Sequence, residues 1–457
     1  MKSGLKYSTR NAIGTMAIAL CLTTANGAVA ETLSDALVWA YIGNPKLKAE
    51  RARQRGTDEQ VPQALSGWRP TIAIEGAAGY DRSNTNDTPE FNDSTARVAI
   101  TLTQPLFRGL KTINGTKVAK ANVRAGRQYL LAVEQDTIFQ TVQSYMNVVR
   151  DRQILSWRQK VLSALKQQLK VADNRLAVGQ ITPTDIAQAQ ARVAGARAQL
   201  ATAIANLAAS NANYENVLGR KPGNLKFPRE PRLPRTLADA QAAAKRINPN
   251  ILAAAFVEEA SNHEIEVAKG DLLPELNLSA SVGYDSFPEF DVDSSRDAKI
   301  EVVLTIPLYE SGRVHSAIRQ SKQVASQRRF EVIQAGRSVR ESVAISWSNL
   351  EAARLIIRAD KSQISANQLV LKGVRQEYLV GTRTTLDVLD AENEVVSTRI
   401  ALAAAERDQV VAAYQILGAI GQLTARDLKL PVSLYDADEN YRNVEGKWTG
   451  TSADTVE

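Results

Sequence analysis

Two histidines, His263 and His315, and one cysteine, Cys21, are all the imidazole and thiol in this chain of 457 residues. A four-ligand zinc cluster cannot be assembled from them without several carboxylates. A histidine general base would have to be one of the two, and both stand in Glu-, Arg- or Gln-rich stretches that suit ordinary solvated side chains. The inventory does not look like an enzyme's, and it asks for no cofactor. The carboxylates with informative spacing are Asp387 and Asp390, three apart and therefore on one helix face. Thr384-x-x-Asp387 and Thr182-Pro183-Thr184-Asp185 both read as helix starts, with Thr at the N-cap, an acid three residues on and Pro183 at the first helical position. On spacing alone, capping is the favoured role of these acids.

The charge balance excludes other classes. The chain carries 56 Lys+Arg against 49 Asp+Glu, a net charge of +7, of which Lys2, Lys6 and Arg10 lie in an acid-free start. The remainder is too weakly basic for a nucleic-acid partner. That basic start, an apolar stretch from Ala12 to Leu22 and the small residues of Ala28-Val29-Ala30 read as a secretory signal peptide over 1–30. Cys21 lies inside it, and Leu20 before it is too large for a lipidation signal. The mature chain is then expected to hold no cysteine and no disulfide. No other apolar run approaches the length of a membrane helix, so any crossing must use strands.

The chain is written twice. Leu33-Ser34-Asp35-Ala36-Leu37 matches Leu237-Ala238-Asp239-Ala240-Gln241, Asn44-Pro45 matches Asn248-Pro249, and Gly79-Tyr80 matches Gly283-Tyr284, all 204 apart. Gln104-Pro105-Leu106-Phe107 matches Ile306-Pro307-Leu308-Tyr309, and Val178-Gly179 and Asp185 match Val380-Gly381 and Asp387, 202 apart. This divides the molecule into a repeat at 31–221, a linker at 222–235 stiffened by Pro222, Pro228, Pro231 and Pro234, a second repeat at 236–430, and an acidic tail at 431–457.

Each repeat has the same order of elements. A helical stretch (32–64, then 236–270) leads to two strands, expected near 71–80 and 95–105, then near 276–284 and 297–306. Leu276, Leu278, Ala280, Val282 and Tyr284 alternate with small polar residues, and Ile300, Val302, Leu304 and Ile306 share one face. Ile72, Ile74, Tyr80, Val98, Ile100 and Leu102 repeat the pattern. Each strand is long enough to cross a bilayer at a tilt. The polar segments 81–94 and 285–296 read as external loops. Proline-free stretches follow, 106–182 and 308–430, rich in strong helix formers. They read as very long helical hairpins turning near 179–183 and 381–384, with apolar residues three or four apart, as in Leu371, Val374 and Tyr378. The fold class is mixed: a transmembrane β-barrel sheet continued by an α-helical coiled coil.

Four strands cannot close a barrel, and an open edge in lipid leaves backbone groups unpaired at several kcal/mol each. The chain must pool strands, giving eight from two copies or twelve from three. The face opposite the apolar one reads as Ala, Gly, Ser, Thr and Asn, suited to a wet lumen. Arithmetic leaves the copy number open.

From Glu31 to about Leu430 the chain resembles the TolC family of outer-membrane efflux proteins. The most specific piece is Tyr378-Leu-Val-Gly-Thr-Arg383-Thr-Thr-Leu-Asp387-Val-Leu-Asp390-Ala. The resemblance implies a homotrimer in the outer membrane of a Gram-negative bacterium, with a shared 12-stranded barrel and a helical periplasmic tunnel. It implies a passive channel for tripartite efflux or type I secretion, partnered by a periplasmic adaptor (membrane fusion) protein and an inner-membrane transporter, in contact with outer-membrane lipid and not with nucleic acid. By motif match, Tyr378 and Arg383 would hold a periplasmic gate shut against Asp185 and Thr184. Asp387 and Asp390 would form cation-selective rings whose crowding should raise carboxyl pKa values. Gln188 stands where the second copy has Asp390, so that ring should hold three acids. The competing reading is a periplasmic coiled-coil scaffold or adaptor without a pore. Trp68, Tyr80 and Tyr284 suit either an aromatic girdle or isolated packing, and the tail reads as a partly disordered extension.

Overall fold

The computed structural model of the chain describes residues 31–85, 88–286 and 294–453. The signal-peptide assignment therefore falls outside the described residues, as does the tip of the second polar loop. The first repeat runs α1 (Leu33–Gly43), α2 (Pro45–Asp58) and α3 (Gln60–Leu65), a short turn at Ser66–Trp68, β1 (Thr71–Thr85), β2 (Thr88–Arg108), α4 (Lys111–Ala177) and α5 (Pro183–Leu218). The second runs α6 (Leu237–Ile247), α7 (Pro249–Gly270), β3 (Glu275–Ser286), β4 (Ser294–Thr305), α8 (Arg313–Leu379) and α9 (Thr385–Ile420), with α10 (Glu439–Val444) in the tail.

The expected first helix of each repeat is broken before a proline in both copies, for one reason, and in the first copy it is interrupted again at Glu59. Proline disfavours helical backbone at the residue before it, so Asn44 and Asn248 turn extended and cap the helix that follows. Each Asn also donates from Nδ2 to the end of a distant helix, to Val217 O at 3.0 Å and to Ala419 O at 2.8 Å. The break thereby ties the entry of each repeat to the exit of a hairpin.

α4 and α8 are both 67 residues long, and α5 and α9 both 36. At about 1.5 Å per residue the long arms reach about 100 Å. Packing rather than local propensity holds such helices. The lower part of α4 packs on α5 through Leu162, Val193 and Ala196, while its upper part meets α3 through Val61, Ala119 and Val123. Where α1, α4, α5 and α9 meet, Tyr41, Ile138, Tyr145, Met146, Tyr214 and Leu417 build the largest core. The proline-rich linker crosses this belt. Tyr145 Oη donates to the carbonyls of Glu31 and Lys226 at 2.9 and 2.7 Å, and Arg152 donates to Gly223 and Pro222.

The four strands form one antiparallel sheet in the order β1-β2-β3-β4. Register aligns the apolar faces: Ile72, Leu102, Ala280 and Ile300 make one row, and Ile74, Ile100 and Val282 another. A one-residue slip would bury half of these and expose the rest, so the alternation itself sets the register. The row is open to the surroundings, with Ile300 79% and Ile74 73% exposed, as a lipid-facing band requires. The opposite face carries the small polar residues and also Arg97 paired with Asp285 at 3.5 Å and Lys299 with Glu301 at 2.5 Å, charges that the alternation pattern passes over. The first polar loop is corrected: backbone pairing continues through Asp81↔Asp93 to Thr85↔Thr88, so 81–94 is mostly a hairpin extension.

The tail is also corrected. It is docked on α2, α3 and α4. Arg51 stacks on Tyr41 and Tyr435, Tyr441 packs beside Val61 and Val123, and Asn440 donates to Asp58 Oδ2 at 2.9 Å. Two of its acids, Asp438 and Glu445, are matched by Arg127 and Lys120, which the net count hides. Asp58 has no exposed surface, and burial pushes its carboxyl up, against the hydrogen bonds from Asn440 and Gln54. A raised acid contributes stability below the ordinary carboxylate range and loses it as pH rises through the folded value. Relative to Asp58→Asn, the native chain should therefore lose unfolding free energy as pH rises out of the ordinary carboxylate range and through the raised folded value of Asp58. Denaturant titrations of both proteins at several pH values check this; a native chain that holds or gains stability relative to Asp58→Asn as pH rises would refute it.

Candidate gate at the tips of the hairpins

Both hairpins turn on a left-handed residue, a conformation that favours glycine. Gly179 has φ +73° and Gly381 φ +81°, with the following amide returning to the last helical turn, Gln180 N to Arg175 O at 2.9 Å and Thr382 N to Glu377 O at 3.0 Å. The return helices start on matched capping boxes. Thr182 caps with Asp185, and Thr384 with Asp387. The Thr384 N–H and hydroxyl both reach Asp387 Oδ2 at 2.8 Å, and Thr182 does the same to Asp185 at 2.9 and 2.8 Å. In each carboxylate the backbone N–H, then the hydroxyl, hold the pKa below the ordinary value. Within the protomer this is opposite to the rise expected from ring crowding. The caps therefore persist at neutral pH and weaken only on acidification.

The gate residues fall together at this end, with partners other than those expected within one chain. Arg383 Nε donates to Glu377 Oε2 at 2.8 Å, across its own turn. Tyr378 Oη accepts from Thr385 at 3.3 Å, and Arg175 of α4 lies 4.9 Å over its ring. Thr184 is exposed in the first turn of α5, and Asp185 is engaged with Thr182. Asp390 pairs with Arg192 of α5 at 2.8 Å. Two contacts thus join the first hairpin to the second: Arg192 to Asp390 and Arg175 to Tyr378. A third set lies one turn higher, where Arg375 and Gln168 both bond to Glu392. The shared chemistry is a charge-assisted bond that a small helix shift can break.

Arg175, Arg192 and Glu377 escape motif matching. A signal for them exists in the repeat itself: at the spacing of 202, Arg175 aligns with Glu377, Arg192 with Glu394 and Asp173 with Arg375. Charges that invert between copies suit pseudo-equivalent helices that face each other. Among the described residues no cluster of His, Cys, Asp or Glu could hold a metal ion, and no helix is long and apolar enough to cross a membrane.

The family model described as outer membrane efflux protein matches residues 38–220 and 241–422. The chain is 40% identical over 429 residues to the outer membrane efflux protein BepC of Brucella suis, covering 93% of each. It is 27% identical over 422 residues to the outer membrane protein TolC of Escherichia coli, covering 87% of this chain and 84% of that one. The crystal structure of the Campylobacter jejuni CmeC outer membrane channel superposes with a TM-score of 0.78 at 14% identity, over 91% of this chain and 89% of that one.

Proposed function

Since the chain belongs to the outer membrane efflux protein family, we propose that three copies close its open sheet into one barrel and that its hairpin tips form a gated entrance. The chain is an outer-membrane channel for efflux and secretion, with a long helical part reaching into the periplasm. The observation that carries the trimer is the sheet's two free edges: β1 and β4 each pair on one side only among the described residues. Joining β4 of one copy to β1 of the next removes every edge, and twelve strands leave a conduit where eight would be filled by side chains. The conduit works passively, with an inner-membrane transporter and a periplasmic adaptor supplying energy and cargo.

At the entrance, Tyr378 and Arg383 act with Asp185 and Thr184 to restrain the second hairpin, and Asp387 with Asp390 form the constriction that favours cations. Support comes from their convergence at one end of the molecule and from the length of the Arg383 side chain, whose current partner Glu377 lies on the exposed rim. In planar bilayers, purified protein should give small cation-selective steps, and Tyr378→Phe with Arg383→Ser should give larger ones. Equal steps would remove both residues from the gate. No steps from either protein would favour a scaffold.

A further inference from the structure

The tail retraces α4 toward the membrane. Asp438 pairs with Arg127 at 2.5 Å, and Glu445 with Lys120 at 2.8 Å. These partners lie about 24 and about 14 Å along α4 from its start at the foot of β2, at about 1.5 Å per residue. Two residues further, Arg69 Nη1 donates to Lys447 O at 2.8 Å, and its guanidinium lies 4.8 Å over the Trp448 ring. Arg69 is two residues before β1 begins at Thr71. The tail thus delivers Trp448 to the level where the sheet ends. There Trp448 is 66% exposed, although four residues earlier Val444 is buried.

The surroundings at that level have one character. Trp68 beside Arg69, and Leu308 and Tyr309 just past β4, are exposed as well. They border the helix-side ends of β1 and β4, the two edge strands of the sheet. Charge is arranged compatibly. Asp436 is paired with Arg442, Asp438 with Arg127 and Glu445 with Lys120, so these three acids precede Trp448 along the tail and are each matched by a base. At the front are Lys447 and Arg69. A tryptophan with an apolar body and an N–H donor, backed by cations, is the side chain that partitions into phospholipid headgroups.

We propose that the C-terminal tail is an interfacial anchor, with Trp448 set by Arg69 into the headgroup layer of the periplasmic leaflet at the rim of the barrel. The occupant is glycerophospholipid, and the inference rests on the membrane-spanning reading of the sheet.

Site-directed spin labelling tests both separately. Cys21, the one cysteine, belongs to the leader, so Trp448→Cys and Thr449→Cys each carry a single nitroxide in the processed chain, the second with Trp448 intact. Ile74→Cys serves as the lipid control and Lys361→Cys as the water control, all in phosphatidylglycerol-containing liposomes. Power saturation with oxygen and a soluble nickel chelate should place 448 and 449 within about 5 Å of the phosphate level. Adding Trp448→Ala to Thr449→Cys should shift that label toward the water control. The inference is overturned if both labels match Lys361→Cys, if neither collider reaches them because a neighbouring copy covers the site, or if Trp448→Ala leaves the 449 label unmoved. A water-like Ile74→Cys would instead overturn the barrel reading.

Discussion

Arg175→Ser combined with Arg192→Ser should open the periplasmic entrance by two or more decades in the ratio of open to closed channels. These arginines make the two contacts that join the hairpins of one protomer at the tip: Arg192 to Asp390 at 2.8 Å, and Arg175 over Tyr378 at 4.9 Å. Each is modest alone. An exposed ion pair contributes about 0.2–1 kcal/mol, and an exposed cation–π contact about 0.5–1 kcal/mol. The helices of three copies moving together would multiply about 1–2 kcal/mol per protomer to about 3–6 kcal/mol, with about 1.4 kcal/mol to a decade. Single-channel recording of the double variant should show long-lived large steps where the native channel shows small ones. The sign of a second effect discriminates further. Removing Arg192 strips Asp390 of its counter-charge, so cation preference should rise as conductance rises. A variant with unaltered steps and unaltered selectivity would eliminate these contacts as restraints.

Ending the chain after Leu430 should produce the largest loss of stability. Tyr435 and Tyr441, both half-buried, and the buried Val444 leave the surface of α2, α3 and α4, each contributing at most about 1.5–3 kcal/mol of burial against the ordering of the tail. Asp58 loses the bond from Asn440, and an under-satisfied buried acceptor costs about 1–3 kcal/mol. Arg51, 8% exposed, loses one of the two rings that enclose it. The net expectation is about 3–5 kcal/mol, concentrated where the short helices lie on α4. Thermal melting of the truncated and full chains, with amide exchange of residues 45–65, measures it. Coincident melts with unchanged exchange would show that the docked tail is energetically neutral.

Much of this architecture is legible along the chain because it is local. The two capping boxes, Thr182 with Asp185 and Thr384 with Asp387, are three-residue patterns whose geometry the backbone enforces. Strand alternation assigns Ile72, Ile74, Val282 and Ile300 to one face without knowledge of a neighbour. At 81–94 polarity misleads as a sign of a loop, since the ladder is made by backbone groups that every residue there but Pro89 carries in full.

The repeat, the hairpin lengths, the turn glycines and the alternating strands follow from the order of residues, because periodicity and caps act over a few positions. Tertiary structure decides which charges meet. Asp390 sits on one face of α9 whatever its partner, and only the placement of α5 beside it selects Arg192, about 200 positions away. The tail is similar: its acids look like a solvated extension until Arg127 and Lys120 line up along α4 to receive them. Such pairs carry no local signature, because the attraction between charges depends on their separation in space and not on their separation along the chain.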